Sequence, residues 1–141
     1  MTFAKQALIC AFAVALCISP AAAHEAPSPA GTIMTRFNQA LPTVPGKTMT
    51  AVEVTLAPGQ ASVPHRHAKS AFIMAYVVSG VILNQIEGEP AKVYRAGDTW
   101  MEAPGAHHIK ATNLSKTRSA KLLAVFVADS DDTGLTTLDK P

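Results

Sequence analysis

Two histidines separated by one residue, His65 and His67, close the stretch PGQASVPHRH at residues 58–67. Side chains alternate faces along a strand, so both imidazoles would point the same way and converge on one position. Neutral imidazole nitrogen suits Zn, Cu, Fe and Ni alike, and the pair therefore offers two ligands to a transition metal. A lone pair of this kind is more often a surface or loop feature, so the reading depends on further ligands elsewhere in the chain. GDTWMEAPGAHHIKATN, residues 97–113, offers one, because His107 and His108 open a strand in which one of the two must face inward. Three imidazoles on one ion would leave coordination positions open for a substrate. Two other side chains are candidates for catalysis. Glu102 shares a strand face with Trp100 and is a candidate ligand or proton-transfer group, and Tyr76 is either a pocket hydroxyl or a core aromatic. Arg66, between the paired histidines, is expected to point outward as a solvated charge.

Short strands have to position these residues. Thr50, Val52, Val54 and Leu56 alternate with Met49, Ala51, Glu53 and Thr55, the period-2 pattern of a half-buried strand, and Pro58-Gly59 ends it. Ala71 to Val78 is an apolar run that Ser79-Gly80 interrupts and Val81 to Ile86 resumes. Its β-branched and aromatic content predicts two strands around a tight turn. Glu87-Gly88-Glu89-Pro90 and Arg95-Ala96-Gly97-Asp98 are turns flanking a brief strand at Val93-Tyr94, and KLLAVFVA, residues 121–128, reads as the last apolar strand. No segment beyond residue 23 carries a helical period. Closely spaced strands punctuated by Gly and Pro predict an all-β, antiparallel sandwich or barrel.

Met1 to Ala23 has the three parts of a secretory signal: Lys5, an apolar run from Ala7 to Ile18, and small residues at Ala21-Ala22-Ala23. The run is shorter than the roughly 20 residues a membrane-spanning helix requires, so cleavage after Ala23 and a secreted, periplasmic location are expected. Both cysteines, Cys10 and Cys17, would leave with the signal, so neither a disulfide framework nor a thiolate ligand is expected of the mature protein. His24 would become the amino terminus, able to chelate copper through its amine and ring or simply to sit in a mobile tail. The formal charge of +2 is small and without a basic run, which argues against a nucleic-acid partner and against a membrane partner once the signal is removed. Residues 24–46 read as a flexible arm and edge strand, 47–130 as the barrel and 131–141 as a C-terminal tail. Thr32 to Phe37 is the strand expected to pair with or cross to a neighbouring copy, giving a homodimer.

Gly59, five residues, His65-x-His67 and then Gly80 resemble the first signature of the cupin superfamily, and Gly97-Asp98, Pro104-Gly105-x-x-His108 and Asn113 resemble the second. The resemblance extends over most of residues 24–141 and is nearest in kind to the small, single-domain cupins described as quercetin-dioxygenase-like. It implies a jelly-roll barrel of about six to eight strands with a metal in its mouth. Carried over, the metal ligands are His65, His67 and His108, with His107 as the alternative to His108, and the ion is Fe, Mn, Zn, Ni or Cu. One position departs from the pattern. Counting back seven from Gly80 reaches Ile73, and counting forward from His67 reaches Ala71 or Phe72, so the usual glutamate ligand is missing. The implied function is a metal-dependent oxidoreductase of dioxygenase type acting on a small, anionic organic substrate. A non-catalytic module for a small ligand or metal, or a metal-dependent isomerase or lyase with Tyr76 or Glu102 as base, are the alternative readings.

Overall fold

The computed structural model describes residues 31–140. The expected signal sequence, residues 1–23, and His24 lie outside the described residues. Ten strands follow in chain order: β1 (Thr32–Ala40), β2 (Lys47–Leu56), β3 (His65–His67), β4 (Phe72–Ser79), β5 (Val81–Ile86), β6 (Lys92–Arg95), β7 (Thr99–Glu102), β8 (His107–Asn113), β9 (Ala120–Asp129) and β10 (Thr136–Leu138). They form two five-stranded antiparallel sheets, ordered β1-β2-β9-β4-β7 and β10-β3-β8-β5-β6. The all-β jelly roll expected from the sequence is therefore present, with more strands than anticipated. The additions lie at the ends: β1 runs on to Ala40, and the segment read as a C-terminal tail carries β10, which pairs with the histidine strand β3.

The two sheets face each other across one apolar layer. Leu56, Val77, Ile82, Trp100 and Leu122 dominate one part of it, and Ile73, Phe126 and Ala128 form a second cluster beside it. Strand β4 shows how the pattern sets this up, for Ile73, Ala75 and Val77 are buried while Phe72, Met74, Tyr76 and Val78 between them are exposed. Small inward side chains at Ala75, Ala111 and Ala124 leave space unfilled between the sheets, and that space becomes the cavity described below.

Ser79-Gly80 does not fold β4 back onto β5. It carries the chain from one sheet to the other, since β4 pairs with β7 and β9 while β5 pairs with β6 and β8. Only glycine fits the crossing. Its φ is +86°, and a Cβ at this position would lie 2.7 Å from the Ala120 Cβ.

Candidate metal centre

His65 and His67 leave β3 on the same, inward side, and His108 arrives beside them from β8, where His65 and His108 are register partners. One potential ligand atom from each of the three lies within 4.8 Å of the others, so the three could hold a metal ion. Their rings stand close: the His65 ring centroid is 4.8 Å from that of His67 and 4.9 Å from that of His108. The second motif thus supplies His108. His107 faces the opposite way, its Nδ1 3.1 Å from Glu87 Oε1 and its Nε2 2.7 Å from Asp139 Oδ2. Those carboxylates, Glu87 first, hold its pKa above the usual histidine value, the behaviour of an ion-paired cation and not of a ligand. Arg66 is exposed as expected, 3.5 Å from Glu87.

Each inward ring is fixed from behind by an acceptor. The Nδ1 of His65 lies 2.7 Å from the Val63 carbonyl and the Nδ1 of His67 3.3 Å from the Leu135 carbonyl. The Nε2 of His108 lies 2.5 Å from Asn84 Oδ1 and 3.0 Å from the Lys110 carbonyl. A carbonyl only accepts, so these nitrogens carry the ring protons. His65 Nε2, His67 Nε2 and His108 Nδ1 are left with lone pairs directed at one another, the arrangement that outer partners impose on metal-binding histidines. Burial pulls the pKa of His65 below its ordinary value and that of His108 from 6.5 to about 4, with the charge of Glu102 opposing the shift at His108. Both rings are therefore neutral, the ligating form, at physiological pH.

A buried carboxylate, Glu102, lies beside the histidines on a different strand. Ile73 is buried and lines the cavity as an apolar wall, while Phe72 faces out. The register partner of Ile73 on β7 is Glu102, so the acid sits one strand over on the same sheet face. Glu102 is 3% exposed. Its Oε1 accepts the Trp100 indole N–H at 2.9 Å, and it approaches His108 Nδ1 at 3.5 Å. Oε2 is 3.0 Å from His67 Nε2, the nitrogen left without a proton, and is a buried carboxylate oxygen without a hydrogen-bond donor. Burial is the largest influence on this carboxyl and acts to raise its pKa. The neighbouring His67 and His108 rings and the Trp100 N–H together outweigh burial and hold the pKa below the usual carboxylate value. A buried anionic oxygen with no donor, facing three imidazole lone pairs, is the chemistry a divalent cation satisfies, and the residues fit such an ion.

Tyr76 requires a correction. It is neither a pocket hydroxyl nor a core aromatic, because the alternation that turns Ile73 and Ala75 inward turns Tyr76 onto the outer surface of the sheet, 39% exposed. Asn84 and the C-terminal acceptors were not anticipated. The signal for Asn84 was legible, a polar residue in phase with the inward Ile82 and Ile86 of β5. The Leu135 carbonyl carried no such signal, since it reaches His67 only because β10 returns across 68 residues of sequence to pair with β3.

The histidines and Glu102 form the polar end of a cavity of about 380 Å³ whose other walls are largely aliphatic and aromatic, among them Val54, Leu56, Trp100, Leu122, Phe126 and Leu135. Among the described residues no lysine or arginine lines it, and the titratable groups that do are those four.

A double-stranded barrel with three inward histidines from its two motifs defines a class of metal-binding β-barrels. The chain belongs to the cupin family, for residues 52–126 match the cupin domain model. Solved structures share the fold. An uncharacterized protein with a double-stranded β-helix domain from Klebsiella pneumoniae aligns over 82% of this chain and 90% of its own, at 20% identity and TM-score 0.61. A DMSP lyase from Ruegeria pomeroyi aligns over 66% of this chain and 44% of its own, at 22% identity and TM-score 0.54. An oxalate oxidase is 30% identical over 59% of this chain with TM-score 0.49, and the match spans 42% of the oxidase. No curated protein matches the chain.

Proposed function

We propose that this cupin is a metal-dependent oxidoreductase, of dioxygenase type, holding a divalent transition metal through His65, His67, His108 and Glu102 and acting on a small organic molecule with an apolar body and one anionic oxygen. The observation that carries the reading is the buried, donorless Oε2 of Glu102 facing the three imidazole lone pairs at the end of an apolar cavity. When bound, the ion supplies Lewis acidity and, if redox-active, electron exchange with an oxidant such as O₂. The chain's residues do the rest. Trp100 orients Glu102, Asn84 and the Val63 and Leu135 carbonyls fix the ring tautomers, and the aliphatic walls exclude water and select an apolar substrate body.

Charge balance supports the substrate class. A divalent ion with one carboxylate ligand keeps a single positive charge, and one anionic substrate oxygen neutralises it. A small dianion would leave a net negative charge in an apolar cavity without a cation to meet it, which is costly. The base-dependent isomerase or lyase reading finds less support, because with Tyr76 outside and Glu102 committed to the ion the described residues of the cavity include no free proton acceptor.

The test is binding and turnover on protein loaded separately with Fe(II), Mn(II), Ni(II), Cu(II) and Zn(II). A catechol-type chelator should bind a loaded form roughly 10-fold or more tighter than oxalate, a difference of about 1.4 kcal/mol. Oxygen uptake should appear with a redox-active ion and not with Zn(II). Preference for oxalate, or oxygen uptake independent of the ion, would contradict the proposal.

A further inference from the structure

One wall of the cavity is chain that little else holds. Thr133, Gly134, Leu135, Thr136 and Leu138 line it from the segment that follows β9. The other lining strands are fixed more firmly, since β2, β4, β8 and β9 each have a partner on both sides and the edge strand β1 pairs with β2 through eight residues. β10 is an edge strand that pairs through three residues, and all three are exposed. Segments with few buried apolar contacts and exposed backbone bonds are the first of a fold to open. Leu135 is the apolar anchor of this one, packed against the cluster of Ile73 and Phe126, and Gly134 before it has no atom within 4 Å of where a Cβ would stand, so the chain there has room to turn. Two clasps hold the ends. Ser70 Oγ donates to Asp132 Oδ2 at 2.9 Å, while Asp139 Oδ2 lies 2.7 Å from His107 Nε2 and the Asp139 N–H donates to the Pro64 carbonyl at 2.9 Å.

The same segment touches the metal centre from behind. The Leu135 carbonyl accepts the Ala68 N–H at 3.2 Å and faces His67 Nδ1 at 3.3 Å, and Thr136 Oγ1 stands 3.3 Å from that same ring nitrogen. With the segment in place, Nδ1 keeps the ring proton and Nε2 keeps the lone pair directed at the other imidazoles. We infer that residues 133–139 are a strap, hinged at Gly134, that opens to admit substrate and closes over it. Closure seats Leu135 and Thr136 behind His67, so sealing the cavity from water and setting one metal ligand are a single event. This rests on the reading that the cavity takes a substrate beside an ion.

A reversible staple tests it. Arg66 and Thr137 are register partners on β3 and β10, between the inward pairs of His65 with Leu138 and His67 with Thr136. Antiparallel partners stand about 4.5–5.5 Å apart at Cα, within the reach of a disulfide. Arg66→Cys with Thr137→Cys, in the full chain carrying Cys10→Ser and Cys17→Ser, therefore locks the strap shut when oxidised and frees it when reduced. Trp100 is the one tryptophan of the chain and lines the cavity at 8% exposure, so its quenching by acrylamide reads entry without any substrate. The oxidised form should be quenched at least about 5-fold more slowly than the reduced form, and bound Zn(II) should pass to a chelator more slowly by a similar factor. Asp132→Ala, which removes one clasp and leaves β3 and the histidines intact, should be quenched faster than wild type. Equal quenching of the oxidised and reduced forms would overturn the strap. Slowed quenching with unchanged Zn(II) release would overturn its coupling to His67. Slowed quenching in a protein that holds no Zn(II) would sustain the strap and remove the metal reading instead.

Discussion

Glu102→Gln is expected to weaken divalent-metal binding by roughly 100-fold or more while leaving the metal-free protein folded. The glutamine retains an oxygen to accept the Trp100 N–H and fills the same volume, so packing survives. What is lost is the anionic oxygen facing His67 and His108, and removing even outer partners of a metal site costs about 10–100-fold. Trp100→Phe should cost about 10-fold, since it frees the carboxylate to rotate without touching the ion's ligands. A transplant separates the ligand role from a general electrostatic one. Ile73 and Glu102 are register partners, so Ile73→Glu combined with Glu102→Ile returns the acid to the strand where the family pattern places it. The double variant should recover most of the metal affinity lost in Glu102→Ile. Ile73→Glu alone should not tighten binding, because it sets two buried carboxylates side by side and one must then take a proton. Isothermal titration with Zn(II) and Mn(II) reads all of these. Wild-type affinity in Glu102→Gln would remove the carboxylate from the site.

Acidity should act through the histidines with a definite sign. Burial depresses the His108 pKa to about 4 from 6.5, and it depresses that of His65 too. At these two rings the unfolded chain therefore binds more protons than the folded one between those values, so their contribution to the stability of the metal-free protein falls as pH drops from 6.5 towards 4 and is constant above, where the raised pKa of His107 acts with the opposite sign. A shift of this size at a 5% exposed residue corresponds to a loss on the order of 3 kcal/mol from His108. Metal binding should follow the folded values. It should persist below the 6.5 at which an exposed His-x-His pair would release its ion, and fail as pH approaches 4 to 5. Thermal unfolding and metal titration across pH 4 to 8 check both. In His108→Asn the acid-linked loss of stability should shrink, whereas an unchanged profile would place the titration elsewhere.

How much of this could be read in the sequence depends on how local each signal was. The period-2 pattern from Thr50 to Leu56 and the Gly and Pro punctuation gave the strands, because alternation and turn chemistry act within a few residues. His65 and His67 were legible for the same reason, two residues apart on one strand. Glu102 could be named but not placed. Counting along β4 to Ile73 searches one strand, and the acid occupies the paired position on the next, a relation that register creates and spacing does not encode. Tyr76 was misjudged because a tyrosine in an apolar run is ordinarily drawn inward, and the phase set by Ile73 and Val77 overrode that tendency. β10 was unreadable for a third reason. Thr136 to Leu138 is short and exposed on every residue, and it becomes a strand only because β3 offers it an open edge.

The central claim is that one divalent ion is held by the inward histidines, and metal titration of four single variants tests it most directly. Wild type should bind one equivalent per chain. His65→Ala, His67→Ala and His108→Ala should each abolish stoichiometric binding, while His107→Ala, adjacent in sequence but paired outward with Glu87 and Asp139, should bind one equivalent with wild-type affinity. No stoichiometric metal in the wild type, or loss of binding in His107→Ala with retention in His108→Ala, would contradict the account.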